Sequence, residues 1–272
     1  MISRRGVLVG GSALLAGLAA CSEPSSRSAG GTQEIRYGDD DSQVADLYLP
    51  PGSEKVPAVV VIHGGFWMSG YGKELATPLA EDLAKSGVAG YAIEYRRVGN
   101  GGGWPMTFDD VAAAIDALAD QPRVAVDQVV AVGHSAGGHL AVWAAGRTGR
   151  VVLKGAVSQA GVLDLVNAYD AQVGGDAVVQ LMGATPTEDQ KRYASASPYE
   201  QLPLKVPVAL VHGTRDGQVP LDQSQRYLAA AKKAGGAVAL TELPGVGHFE
   251  LIDPKHDAWA ACRKETLRLL QR

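Results

Sequence analysis

The sequence predicts an α/β fold with a mostly parallel central sheet and helices on both of its faces. Short runs rich in β-branched residues alternate with amphipathic helical patterns along most of the 272 residues, as in βαβ units. The run Val56–Ile62 shows no polar alternation, which fits a strand buried on both faces. Ligands of such sheets bind beyond the carboxyl ends of the strands, and three of these ends carry distinctive segments: HGGFW, GHSAGG and HGTRDGQVP.

Strands and helices can be assigned from residue patterns in chain order. Residues 33–49 alternate loosely and predict two antiparallel strands joined near GDDDS. Later strands are predicted in VPAVVVI, VAGYAIEYR, VDQVVAVGHS, LKGAVSQAG, VPVALVHGT and AVALTELPG. Helices are predicted in KELATPLAEDLAKSG, TFDDVAAAIDALAD, AGGHLAVWAAGR, DQSQRYLAAAKKAGG and PKHDAWAACRKETLRLLQ. Gly87 closes the first helix, and Thr107 is the expected N-cap of the second.

The N-terminal segment has the features of an export signal followed by a tether. Two arginines precede an apolar stretch, residues 6–20, which is shorter than the roughly 20 residues needed to span a bilayer. The LAAC sequence ending at Cys21 resembles the bacterial lipobox, and SRRGVLV resembles a twin-arginine signal. We expect a signal peptide over 1–20, lipidation of Cys21, a flexible tether over 21–32, and anchoring to the outer face of a bacterial membrane. The choice between twin-arginine and general secretory export stays open.

The composition narrows the possible partners. The chain has 25 Lys and Arg against 29 Asp and Glu, a net charge of −4 with no basic run, so no nucleic-acid partner is expected. With Cys21 lipidated, Cys262 is expected to be a small packed residue of the last helix. No residue spacing typical of a metal site appears, no cofactor is expected, and the oligomeric state is not indicated.

The segment Gly133–Gly137 fits the pattern G-x-S-x-G between the predicted strand Val126–Val132 and a helix. A strand-to-helix turn this sharp strains the backbone of the serine, and bulky flanking residues would clash. Glycines at both flanking positions remove those clashes. The hydroxyl of Ser135 would then lie at a helix N-terminus, where the helix dipole favours developing negative charge. We therefore expect Ser135 to be a nucleophile.

A serine hydroxyl needs a base, and in this topology an acid and then a histidine should follow the serine along the chain. Asp216 directly follows the strand pattern VPVALVH, and His248 lies in a glycine-rich loop after the last strand. Asp216 is expected to hold the imidazole tautomer, and His248 to accept the proton of Ser135 and return it to the leaving group.

Other histidines and acids could compete for these roles. His256 is expected in the last helix, His139 one turn beyond the serine, and His212 at a strand end before the acid. A structural role is the simpler interpretation of each of these. Asp253 is an alternative acid, but it follows His248 in the chain.

An oxyanion hole should accompany the nucleophile. Its first donor is the backbone N–H of Ala136, and the second should come from the loop after an earlier strand, where HGGFW lies. The candidates there are Gly64, Gly65 and Phe66, of which Gly65 is preferred. A plain glycine turn is the alternative interpretation of this loop.

These motifs, together with AIEYRR and GGGWPMTFDDVAAAIDAL, resemble the α/β-hydrolase superfamily, in the branch with hormone-sensitive-lipase-like esterases and kynurenine formamidases. The resemblance covers residue 44 to the C-terminus and implies a hydrolase domain over 33–272 with a small cap near 163–198. Aromatic residues near the mouth of the site are candidates to bind substrate, and a place in the core is the alternative interpretation of each: Phe66, Trp67, Trp104 and Phe249. HGGFW replaces the lipase-like HGGG, which disfavours activity on long acyl chains.

The predicted function is hydrolysis of carboxylic esters, short-acyl or aryl, through an acyl-enzyme on Ser135. An arylformamidase-like amidase using the same residues is the alternative, although kynurenine formamidases act inside cells and this chain is expected to be exported. A non-catalytic binding protein on a hydrolase scaffold is a third hypothesis. The expected partners are a small-molecule ester and, through the lipid, a membrane.

Overall fold

A computed structural model describes residues 30–271, and within them the chain forms one eight-stranded sheet. The strands are β1 (Thr32–Arg36), β2 (Val44–Tyr48), β3 (Val56–Ile62), β4 (Ala89–Ile93), β5 (Val124–His134), β6 (Ala156–Gln159), β7 (Val208–Gly213) and β8 (Val238–Leu243). The helices are α1 (Thr77–Lys85), α2 (Met106–Asp116), α3 (Ala136–Ala145), α4 (Leu165–Asp170), α5 (Ala177–Met182), α6 (Gln190–Ala196), α7 (Asp222–Lys233) and α8 (Asp257–Leu270). The expected signal peptide and Cys21 lie outside the described residues.

The sheet order is β1-β2-β4-β3-β5-β6-β7-β8, with β1 and β2 antiparallel to their neighbours and the remaining strands parallel. Both faces of the sheet carry apolar cores. Along β3, Val60 and Ile62 pack into one core with α2 and α3, while Val59 and Val61 pack into the other with α1 and α8. The predicted α/β-hydrolase architecture, with a central strand buried on both faces, is confirmed.

Helix α2 begins differently from the prediction. It starts at Met106 after Pro105, so Thr107 is not the N-cap. The Thr107 hydroxyl instead donates to the Arg96 carbonyl at 2.6 Å and accepts from the N–H of Gly103 at 3.0 Å. These two hydrogen bonds satisfy the buried hydroxyl of Thr107 and anchor the preceding loop. Within the described part of the chain, no side chain caps the N-terminus of α2.

Residues 163–198 contain three short helices, α4 to α6, on the side of the sheet that carries α2 and α3. Gly174 in this segment packs directly against the ring of Phe66. The segment is therefore placed beside the HGGFW loop. Among the described residues, no helix combines the length and apolarity that a bilayer span requires.

Cys262 is a free cysteine, fully buried in α8, as the sequence predicts. Burial raises the pKa of its thiol to about 12. A thiol that stays protonated at neutral pH is a weak nucleophile, so Cys262 serves packing rather than chemistry.

Candidate active site

Ser135 lies at a strained turn between β5 and α3, with φ 55° and ψ −120°. Its own N–H donates to the Gln159 carbonyl at 2.8 Å, which ties the turn to the neighbouring strand. A side chain at Gly133 would overlap the Gly137 backbone, and one at Gly137 would overlap the carbonyl of Ile62. Both glycines are thus required by close backbone approach, which accounts for the motif physically.

The structure brings Asp216 and His248 together from the ends of β7 and β8. His248 Nδ1 lies 2.6 Å from Asp216 Oδ2, and the other carboxylate oxygen accepts the N–H groups of Gln218 at 2.8 Å and Val219 at 2.9 Å. Burial raises the pKa of the Asp216 carboxyl, but hydrogen bonds from His212 and His248 lower it more, so the net pKa lies below its ordinary value. Asp216 is therefore a carboxylate that orients the His248 ring.

His212 supports this carboxylate from behind. Its Nε2 lies 3.0 Å from the Val219 carbonyl and 3.4 Å from Asp216 Oδ2, so this nitrogen carries the proton. Nδ1 is then an acceptor for the Ser224 hydroxyl at 2.8 Å. His212 is fully buried and both of its ring nitrogens are occupied, so it positions the acid and does not compete as a base.

His134 precedes the nucleophile and contacts the base. Its ring centroid lies 4.3 Å from that of His248, and its Nε2 lies 3.0 Å from the His248 carbonyl. Burial, followed by the nearby His248, lowers the pKa of His134 to about 3. A neutral His134 therefore donates from Nε2 to that carbonyl and fixes the backbone of the His248 loop. This role was not predicted from the sequence, because His134 is the x position before the serine in G-x-S-x-G and the motif specifies no residue there.

Ser135 and His248 share one small cavity of about 60 Å³. Its lining consists of Gly65, Phe66, Tyr71, Leu75, His134, Ser135, Gln218, His248 and Phe249. Phe66 and Phe249 were expected at this cavity and lie there. Tyr71, Leu75 and Gln218 were not expected, because nothing in their local sequence marks them as neighbours of the serine.

Two of the expected substrate-binding aromatics lie elsewhere. Trp67 is 1% exposed and donates its indole N–H to His139 Nδ1 at 3.1 Å, so it belongs to the core. Trp104 packs edge-on against Phe108 with ring centroids 4.9 Å apart. Neither residue lines the cavity, which agrees with the alternative interpretation that both belong to the core. In both cases the side chain packs against a buried aromatic ring away from the cavity, although the residue is close to the site in the sequence.

The candidate oxyanion donors lie beside the nucleophile. Within residues 30–271, no acceptor bonds the backbone N–H groups of the candidates, which are Gly64, Gly65, Phe66 and Ala136. His63 Nδ1 lies 2.8 Å from the Gly64 carbonyl, and its Nε2 lies 3.0 Å from Glu94 Oε1. Since a trans peptide directs its C=O and N–H to opposite sides, this bond turns the N–H of Gly65 away from His63. Gly65 also lines the cavity, which favours it over its neighbours.

The competing residues have structural roles. His139 lies between the Trp67 indole and the Ala196 carbonyl at 2.9 Å, and burial lowers its pKa to about 4. His256 caps α8, where its ring accepts the N–H of Ala258 at 3.0 Å. Asp253 is exposed and accepts the N–H of Lys255. Among the described residues, no group of three or more His, Cys, Asp and Glu side chains could hold a metal ion.

Curated proteins that are similar to this chain include a methylesterase and a formamidase. The isoprenylcysteine alpha-carbonyl methylesterase of Arabidopsis thaliana is 26% identical over an alignment of 248 positions, which covers 81% of this chain and 57% of that protein. The kynurenine formamidase of Danio rerio is 25% identical over an alignment of 249 positions, which covers 87% of this chain and 81% of that protein. Several of the curated relatives are much longer, and the chain spans only 35% to 59% of their length.

A solved structure and a family model extend the comparison. A truncated form of a carbohydrate esterase from gut microbiota superposes with a TM-score of 0.79 at 20% identity, over 92% of this chain and 99% of that one, which shows the shared fold. A family model described as BD-FAE matches residues 45–230, more than half of the 272 residues. The chain therefore belongs to the BD-FAE family, within the α/β-hydrolase superfamily that its motifs resemble.

Proposed function

We propose that the chain is a serine hydrolase that cleaves carboxylic esters through an acyl-enzyme on Ser135. One observation carries this proposal: a serine at a strained strand-to-helix turn shares a small cavity with a histidine that is held 2.6 Å from a buried carboxylate. A serine hydroxyl is a weak nucleophile without a base, and the base needs an acid that orients it. The three side chains together can therefore activate the hydroxyl.

The chemistry follows from the positions of the groups. Ser135 Oγ attacks the ester carbonyl carbon while His248 Nε2 takes the hydroxyl proton. The resulting oxyanion accepts hydrogen bonds from the backbone N–H groups of Ala136 and Gly65. Collapse breaks the C–O bond, and His248 returns the proton to the departing alcohol. A water molecule then attacks the acyl carbon, with His248 again as base, and releases the acid and free Ser135.

Names of relatives support an ester substrate. Besides the plant methylesterase, Esterase LipQ of Mycobacterium tuberculosis is 28% identical over 84% of this chain. Because one relative is a formamidase, an amidase that uses the same residues is the second candidate function. Comparing turnover of phenyl acetate with turnover of N-formylated aromatic amines distinguishes the two functions. A binding protein without activity is disfavoured, because Ser135, Asp216 and His248 are all present.

The size of the cavity limits the acyl group. At about 60 Å³ it is smaller than the cavity of about 150 Å³ that holds one benzene molecule. The Phe66 ring closes one side of the cavity, where Gly174 of the proposed cap packs on it. A small cap and a small cavity both favour short acyl chains.

We expect kcat/KM on p-nitrophenyl esters to be highest for acyl chains of two to about four carbons and to fall for chains of eight or more. An added methylene that fits contributes under about 1 kcal/mol of binding, whereas one that clashes costs more. The leaving group is the same throughout the series, so it serves as its own control. A maximum at octanoate or longer would contradict the small acyl site.

We also propose that the protein is an exported lipoprotein, tethered through Cys21 and residues 21–32 to the outer face of a bacterial membrane. The LAAC sequence and the Ser-, Gly- and Pro-containing segment after it support this proposal. Each buried lipid CH₂ contributes about 0.8 kcal/mol, so two or more chains hold a protein firmly on a membrane.

Cys21→Ser is expected to move the protein from the membrane fraction to the soluble fraction, as measured by fractionation and immunoblotting. Ser25→Ala, in the same tether, is the matched control and should stay with the membrane. An unchanged membrane fraction in Cys21→Ser would mean that the protein is not anchored through this cysteine.

A further inference from the structure

Two exposed aromatic side chains flank the mouth of the Ser135 cavity. Phe249 is 61% exposed and Tyr71 is 47% exposed, and they are two of the four large exposed hydrophobic residues within residues 30–271. The other two, Val126 and Val152, do not line the cavity. We call Tyr71 and Phe249 the aromatic rim. Two exposed aromatic rings beside a reactive serine offer an apolar contact surface to a ligand.

The backbone on both sides of the rim is held in place. The His248 carbonyl before Phe249 accepts from His134 at 3.0 Å, and the Leu251 carbonyl after it accepts from Gln159 at 2.7 Å. On the other side, Arg97 donates to the Tyr71 carbonyl, and the Tyr71 ring packs on Gly65. The backbone of the rim is therefore already ordered, so binding of a ligand requires little further ordering of it.

The position of His248 decides which half of the substrate meets Phe249. The leaving oxygen must lie next to the His248 imidazole, because that ring supplies its proton. Phe249 follows His248 in the chain and packs edge-on against it, with ring centroids 5.3 Å apart at 84°. The alcohol half of an ester therefore departs past Phe249.

The cavity itself is too small for a ring. An apolar cavity of about 150 Å³ holds one benzene molecule, and this cavity measures about 60 Å³. A ring bound at this site therefore has to lie against Phe249 and Tyr71 at the mouth of the cavity, and the alcohol half is the half that passes Phe249.

We propose that the aromatic rim, Tyr71 and Phe249, binds an aromatic alcohol portion of the ester, so that preferred substrates are short-acyl esters of aromatic alcohols. This inference rests on the proposed esterase function and specifies its substrate class. Offset or edge-on contacts with two aromatic side chains would hold the ring while the acyl group enters the cavity.

The test compares two isomeric esters, benzyl acetate and methyl phenylacetate. They have the same atoms and release alkyl alcohols of similar acidity, but the ring lies on the alcohol half of the first and on the acyl half of the second. The wild-type protein is expected to show a kcat/KM at least about tenfold higher for benzyl acetate. Equal rates or a preference for methyl phenylacetate would overturn the inference.

Variants locate the preference on the rim. Phe249→Ala and Tyr71→Ala are each expected to lower the ratio of kcat/KM for benzyl acetate to that for ethyl acetate, by up to about tenfold. Val152→Ala removes an equally exposed apolar side chain away from the site and should leave the ratio unchanged. An unchanged ratio in both rim variants overturns the inference. Failure of the proposed esterase function gives a different result, because neither ester is then hydrolysed by any variant.

Discussion

Ser135→Ala is expected to reduce kcat for ester hydrolysis by about 10⁵- to 10⁶-fold, the range seen when a serine nucleophile is removed from an acyl-enzyme mechanism. Alanine keeps the Cβ atom and the strained φ of 55° that the turn already accommodates, so the fold should persist. Initial rates on p-nitrophenyl acetate measure the loss, and circular dichroism with thermal unfolding checks the fold. Activity within tenfold of wild type in a folded Ser135→Ala protein would rule out this nucleophile.

His248→Ala is expected to lower kcat by about 10⁴- to 10⁶-fold, because the serine then has neither a base nor an acid for its leaving group. The measurement is again kcat on p-nitrophenyl acetate, followed over a range of pH. Asp216 would remain buried, and its Oδ1 would still accept hydrogen bonds from the N–H groups of Gln218 and Val219, so part of the acid's support survives the change.

His256→Ala is the matched control for that variant. His256 is the next histidine along the chain, but its ring caps α8 rather than facing the cavity. Loss of the cap should cost on the order of 1 kcal/mol of stability and leave kcat within twofold. Should His256→Ala be the inactive variant and His248→Ala the active one, the assignment of the base would be wrong.

The sequence predicts the central sheet and the triad geometry well because both depend on short, periodic patterns. The buried run of β3 has no polar position, and Gly133 is required by its contact with the Gly137 backbone, both within two residues of Ser135. Asp216 and His248 follow strand ends, and parallel strands bring such ends to one edge of the sheet. Features that depend on such short patterns can therefore be predicted from the sequence alone.

The roles that sequence reasoning missed depend on long-range packing. Trp67 follows Phe66 directly, yet only the position of His139 on α3 shows that its indole points into the core. His134 and His212 support the base and the acid through contacts to the His248 carbonyl and to Asp216, and no local pattern marks them. The rim residue Tyr71 reaches the cavity only because the 65–71 loop folds over Gly65.

The most direct measurement of the central claim is labelling with a fluorophosphonate probe, in which an activated serine oxygen attacks phosphorus and displaces fluoride. We expect one adduct on the intact protein by mass spectrometry, and peptide mapping should place it on Ser135. His248→Ala should label far more slowly, and Ser135→Ala should not label at all. No adduct on the folded wild-type protein, or an adduct on a different serine, would contradict the account.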